Sequence, residues 1–420
     1  MTLPLCIPAF VSCFTWISLT FRVEGFWGTI GIMTLSSFPL AYLPVAATLK
    51  RLDRSLEEVS LSLAKSQAYT FWHAIFPQLK PAIGSSVLLI ALHMLVEFGA
   101  VSILNYQTFT TAIFQEYEMA FNNNTAALLS GVLMVICIFV VMGEIRFRGT
   151  QTLYQSGKGV IRPYPLKTLS AGKQILVVSF FTTIFVLSIG VPITMLIYWL
   201  TVGSSIEGAV DFGEFFTAFT NSLTISTLGA TLTVICALPL VWAAVRYRSK
   251  LTIWLDRIPY LLHAVPGLVI ALSLVFFTIN YAYSLYQTFA MVVVAYFMLY
   301  LPMAQTTLRG SLEQMSDNIE KVGQSLGRSN FYIFRTLVIP AMLPGIAAAG
   351  IAAAFALVFL NLMKELTATL LLTPNDIKTL STAVWEYTSD AQYAAATPYA
   401  IMLVLFSGIP VFLLKRYGFK

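Results

Sequence analysis

Glu57-Glu58-Val59-Ser60-Leu61-Ser62-Leu63-Ala64-Lys65-Ser66 is matched 263 positions later by Glu320-Lys321-Val322-Gly323-Gln324-Ser325-Leu326-Gly327-Arg328-Ser329, and each copy lies between long apolar stretches. The register runs without a gap from Pro39 and Pro302 to the closing prolines, Pro77 and Pro81 in the first copy and Pro340 and Pro344 in the second. A repeat of this kind makes the chain two related halves joined head to tail.

The apolar stretches set the class. With 58% apolar residues, only 10% charged and a mean hydropathy of +0.79, the chain is no ordinary soluble domain, whose charged share is about a quarter. Crossing the hydrocarbon core takes about 20 apolar residues as a helix. Charge-free runs lie at 1–21, 25–49, 81–96 (extending past a single Glu97), 119–143, 174–206, 215–245, 258–308 (two spans around a polar turn at 280–287), 336–363 and 391–414. The expected fold is therefore an all-α polytopic membrane protein of about ten transmembrane helices in two parallel-repeat halves.

Basic residues orient it. Lys50, Arg51, Arg54, Lys65 and Lys80 surround the first repeated loop, and Arg309, Lys321, Arg328 and Arg335 the second. With the clusters at 146–173, 246–257 and 415–420 they make 22 of the 25 Lys and Arg, leaving Arg22, Lys364 and Lys378. The positive-inside rule then puts both repeats and the C-terminus in the cytoplasm, and the net charge of +6 is met by anionic membrane lipid with no need of nucleic acid. Cys6, Cys13, Cys137 and Cys236 all lie within apolar runs and form no Cys-x-x-Cys pair, so they read as packing residues.

The two halves are unequal. Pro8-Ala9 corresponds to Pro266-Gly267, yet the second half has two further spans before that point. The expected division is a first half at 1–146 with four spans, shortened at its N-terminus, a Gly-, Ser- and Gln-rich cytoplasmic linker at 147–173, and a second half at 174–420 with six.

The repeated segment resembles the cytoplasmic EAA loop of permeases of ATP-binding cassette (ABC) importers: Glu, two Ala, three variable residues, Gly, nine variable residues, then Ile-x-Leu-Pro. Glu58, Ala64 and Pro77 occupy the Glu, Gly and Pro positions in the first copy, with Glu57 just before; Lys321, Gly327 and Pro340 do so in the second, with Glu320 before and Gly323 at an Ala position. The residues alone describe a short amphipathic helix (Leu56, Val59, Leu63; Ile319, Val322, Leu326), a sharp break and a second helix, a knob that suits a partner's groove. The resemblance implies that the partner is a separate ATPase subunit in two copies, with a periplasmic or extracellular substrate-binding protein on the other side of a bacterial inner membrane. The sequence holds no G-x-x-x-x-G-K-[ST] phosphate loop of its own.

A second resemblance concerns cargo. Lys364-Glu365-Leu366-Thr367-Ala368-Thr369 with Leu380-Ser381-Thr382-Ala383-Val384, and Glu97-Phe98-Gly99-Ala100-Val101 with Phe109-Thr110-Thr111-Ala112-Ile113, are similar to segments of fused ferric-iron permeases. Thiamine, polyamine and phosphonate permeases share the architecture. Charges at the edge of a span are expensive, which makes Glu97, Lys364 and Glu365 candidates for the translocation path, where carboxylate oxygens suit a ferric ion in transit. The competing reading is a Lys364 ion pair that holds helices together. His73, His93 and His263 show no metal-ligand spacing, so no bound metal, cofactor or catalytic group is expected. An ion-coupled secondary transporter is the alternative class; it would favour broken spans and often inverted repeats, whereas these repeats are parallel.

Overall fold

The computed structural model describes residues 3–52, 55–149, 170–203, 211–247, 249, 252, 254, 259, 262, 265–313, 318–338, 340 and 346–417. Every regular element among them is helical. Hydrocarbon offers no partner to a backbone N–H or C=O, and the helix satisfies both within one segment. Among the described residues six helices are long and apolar enough to cross a membrane: Phe26–Lys50, Gln67–Val96, Asn123–Phe147, Ala171–Val202, Phe212–Arg246 and Phe289–Leu312. Four shorter apolar helices, Ala9–Leu19, Gly267–Tyr281, Ala349–Leu362 and Tyr393–Ile409, fall on the remaining expected spans.

One boundary differs in a way that matters. The third span was expected from Pro81, but its helix starts at Gln67 and runs 30 residues to Val96. Polar His73, Gln78 and Lys80 interrupt the apolar run without interrupting the helix. The second arm of the first repeated loop and the span after it are thus one rod.

Compactness divides the chain into Met1–Glu207 with Thr388–Ala394, and Gly208–Tyr387 with Ala395–Lys420. The first unit contains α1 (Ala9–Leu19), α2 (Phe26–Arg51), α3 (Ser55–Ser62), α4 (Gln67–Thr70), α5 (Phe76–Val96), α6 (Gly99–Ile103), α7 (Phe109–Glu118), α8 (Asn123–Gly149), α9 (Ala171–Phe185) and α10 (Val191–Tyr198). There α5 packs on both α2 and α8, while α1 packs on α6 and α10. Most of the expected linker, 150–169, lies outside the described residues. Cys13 and Cys137 are buried within α1 and α8.

The second unit contains α11 (Phe212–Arg246), α12 (Gly267–Tyr281), α13 (Phe289–Leu312), α14 (Asn318–Ser325), α15 (Asn330–Ile333), α16 (Ile346–Leu362), α17 (Thr367–Leu372) and most of α18 (Leu380–Ser389) and α19 (Tyr393–Tyr417). Here α13 packs against α11 and α16, and α12 against α17. The pairs α1 with α6 and α12 with α17 are the same packing motif made twice.

Prolines shape the rods. Pro77, Pro192 and Pro340 each follow a wide π-helical turn, at Phe71–Ile75, Val186–Gly190 and Phe334–Val338. A proline lacks the N–H that would bond to the residue four back and clashes with its carbonyl; a wider turn accommodates both faults while the helix continues.

One close approach in the second unit is at Gly229 of α11. A Cβ there would stand 2.9 Å from the ring of Tyr296 on α13 and 3.0 Å from a methyl of Leu362 on α16. Gly229→Ala should therefore lower the thermal stability of the detergent-solubilised protein, by about 1–3 kcal/mol. Gly131→Ala on α8, where a Cβ meets nothing within 4 Å, should not; equal melting curves for the two variants would contradict this packing.

Candidate functional site

The two repeated loops fold alike, bond by bond. Helix α3 ends with Leu63 N–H donating to Val59 O at 3.2 Å and Ala64 N–H to Leu61 O at 3.0 Å; α14 ends with Leu326 N–H to Val322 O at 3.2 Å and Gly327 N–H to Gln324 O at 2.9 Å. Ser62 and Ser325 each back-bond to the carbonyl three residues earlier at 2.8 Å. The chain then turns through one left-handed residue, Ala64 at φ +56° and Gly327 at φ +70°. This explains the Gly of the motif: the turn needs a positive φ, which glycine adopts without a Cβ clash. The next short helix is capped in both copies by a serine, Ser66 accepting from Tyr69 N–H at 3.2 Å and Ser329 from Tyr332 N–H at 3.3 Å.

The expected coupling residues sit on this frame. Glu57 and Glu58 lie in the first turn of α3, half-buried and exposed respectively. Lys321 is exposed on α14, which also carries Glu320 and Gly323, whose side-chain surroundings lie outside the described residues. Pro77 opens α5, and Pro340 is exposed at the corresponding position. The apolar stripe is unburied: Val59, Leu63, Val322 and Leu326 are all more than half exposed. The sequence reading missed a pair in each loop: Lys65 Nζ stands 5.1 Å from the Tyr69 ring centroid and Arg328 Cζ 5.0 Å from that of Tyr332. A cation four residues before a tyrosine at one register in both copies was the available signal. His73 stacks on Tyr69 with centroids 4.0 Å apart, His93 is half-buried in α5, and His263 lies outside the described residues.

At the far end of α5, about 30 Å from its first residue by helix rise, the backbone leaves the helix at Glu97. Its carboxylate accepts from Ala100 N–H at 3.1 Å, and its carbonyl accepts from the Thr110 hydroxyl at 2.7 Å. In the second unit Glu365 accepts from Ala368 N–H at 3.3 Å, and its carbonyl from the Ser381 hydroxyl at 2.8 Å. Both carboxylates therefore cap the short helix that follows. The hydroxyl clusters recur as well: Thr108 N–H donates to Thr111 at 2.7 Å and Thr379 N–H to Thr382 at 2.9 Å. Glu365 has a further donor, the Tyr300 hydroxyl at 2.7 Å. Lys364 is half-buried beside it.

Lys378, one of the three basic residues away from the loops, bridges Glu214 at 2.9 Å and Glu386 at 3.0 Å. Burial works against its charge, but the two carboxylates outweigh that and hold the ammonium above the usual lysine range.

Helical spans, a twice-made polar knob and capped corners are the parts of a transport pore subunit. Residues 1–145 and 235–417 match the family described as binding-protein-dependent transport system inner membrane component. The chain belongs to that family. This permease is 81% identical over its whole length to the Fe(3+)-transport system permease protein FbpB 2 of Haemophilus influenzae, of which it covers 82%. It is 21% identical over 91% of its length to the ferric transport system permease protein FbpB of Actinobacillus pleuropneumoniae, spanning 57% of that protein.

The turn geometry gives a direct test. Gly327→Ala should weaken the second loop by about 1 kcal/mol, while Ala64→Gly should tighten the first by less, because glycine's greater freedom in the open chain offsets part of the relief. Hydrogen exchange of the loop amides reads both. Faster exchange in the Ala64→Gly loop would show that the left-handed alanine is not under strain.

Proposed function

We propose that this permease carries ferric iron inward, driven by two copies of a separate ATPase docked on its two loops and fed by a periplasmic substrate-binding protein. The halves are 1–146 and 174–420, joined by a linker at 147–173 that lies in the cytoplasm with the loops and the C-terminus. The observation that carries the coupling is the pair of knobs: one geometry made twice, 263 residues apart, each with an apolar stripe facing outward. An exposed apolar stripe on a short helix is the surface that helix-in-groove docking uses. The iron assignment is supported by the names of both relatives and by the hard oxygen donors at Glu97 and Glu365.

Gly327→Trp strains the left-handed turn and adds bulk to the knob, and Glu58→Lys reverses a charge on it. Each should reduce co-purification of the ATPase by about tenfold, a loss of ~1.4 kcal/mol of binding, with membrane insertion unchanged. Unaltered association in both variants would remove the docking assignment. Reporters fused after Lys420 or inserted near Gly157 should read as cytoplasmic, and one near Asn123 as external.

The path is tested at Glu365. Glu365→Gln keeps an oxygen to cap Ala368 N–H and removes the charge, its amide N–H donating to the Tyr300 hydroxyl where the carboxylate accepted from it, so a capping role survives it and an ionic role does not. Cells that depend on this system should lose most radioactive ferric uptake at equal protein level. Rescue by an added Lys364→Met would instead mean that the carboxylate serves to neutralise the lysine.

A further inference from the structure

The two loops share more than the motif that aligns them. Immediately after the left-handed residue each chain carries a cation, Lys65 or Arg328, and four residues on an aromatic ring, Tyr69 or Tyr332, with the charge 5.1 Å and 5.0 Å from the ring centroid. The backbone N–H of each tyrosine is held by the preceding serine cap, and the ring by the cation. Two of the residues differ between copies only as lysine differs from arginine, and the geometry is the same.

A left-handed residue followed by two residues outside any helix is a hinge. On its near side lies the knob helix, α3 or α14. On its far side, in the first copy, lies the rod that runs unbroken from Gln67 to Val96. A push on the knob moves the rod only if the hinge angle is fixed. The serine cap fixes only the start of the second helix; the cation, rooted one residue earlier, carries the restraint back to the residue that follows the left-handed one, and in the first loop the Ser60–Thr70 hydroxyl bond at 2.8 Å ties the knob helix across the turn. In the first loop His73 stacks on the same ring, 11° from parallel, and stiffens it further. Tyr69 and Tyr332 are each a little over 40% exposed, so the contact is made at the surface, where it adds stiffness without holding up the fold.

We propose that Lys65–Tyr69 and Arg328–Tyr332 are matched cation–π clamps that stiffen the second arm of each coupling loop back to its left-handed residue, making these four positioning residues for the transfer of ATPase motion to the spans. The proposal rests on the docking reading above. An exposed cation–π contact shifts a two-state equilibrium by about two- to fivefold, enough to loosen a hinge and too little to unfold the protein.

The test uses the full transporter with its own ATPase, measuring co-purification, ATP hydrolysis and ferric uptake together. Tyr69→Leu with Tyr332→Leu should leave the ATPase bound while uptake per ATP falls by about two- to fivefold, and Tyr69→Phe with Tyr332→Phe, which keeps the ring face, should restore it. Lys65→Met with Arg328→Met should reproduce the leucine defect. If the leucine variant transports as wild type, or phenylalanine fails as leucine does, the clamp is refuted. If the leucine variant loses the ATPase altogether, the rings are a docking surface and no clamp. If the wild-type chain itself retains no ATPase, the docking reading falls, and the clamp with it.

Discussion

A backbone that leaves a helix inside hydrocarbon uncovers amides that no solvent will satisfy, and the rest of this structure is arranged around closing those corners. At 97–100 and again at 365–368 a carboxylate turns back to cap the next short helix, while its own carbonyl takes a hydroxyl from the helix after that. These bonds tie three consecutive elements at each corner. They let α6 and α17 sit where α1 and α12 can pack on them. Without the caps the spans on either side would keep their helices and lose their angle.

The loops solve a different problem with equal economy. They lie in water, where backbone amides are satisfied cheaply, so their geometry has to come from side chains and from φ. Each copy has kept one hallmark of the motif and dropped another: Glu58 with Ala64, Lys321 with Gly327. The fold tolerates this because the turn asks only for a positive φ, which alanine can meet at a cost of about 1 kcal/mol. The first loop has a compensating brace, a 2.8 Å bond between the hydroxyls of Ser60 and Thr70. The second has glycine and isoleucine at those places, and Ile333 is fully buried. One knob is closed by a polar contact; the other has a buried isoleucine at the same register.

Much of this was legible in the chain. Charge-free runs gave the spans because a bilayer forbids most other solutions, and the 263-residue register gave the loops because both copies obey one turn geometry. What was not legible has physical reasons. The start of the third span was placed 14 residues late, since hydropathy registers His73 and Lys80 as loop whereas a helix only asks that backbone bonds continue. The capping role of Glu97 and Glu365 was hidden because a carboxylate at a span edge looks the same in sequence whether it faces a path or an amide. Thr108 and Thr379, which organise the hydroxyl clusters, sit one residue before the segments that carried the resemblance.

The two corners differ in one respect that bears on their chemistry. Both carboxylates are capped by an amide, but Glu365 also takes the hydroxyl of Tyr300 from α13, and the position of Tyr300 in the 263-residue register is held in the first half by Ser37, a side chain too short to make the same reach. A carboxylate that accepts from an amide and a phenol is fixed at both oxygens, whereas one that accepts from the amide is fixed at one. It is also less available, because each donor must be displaced before the oxygen can meet a passing cation. Of the two acids, then, Glu97 is the more easily released and Glu365 the more firmly held. The two corners carry chemically unequal carboxylates even where the backbone repeats.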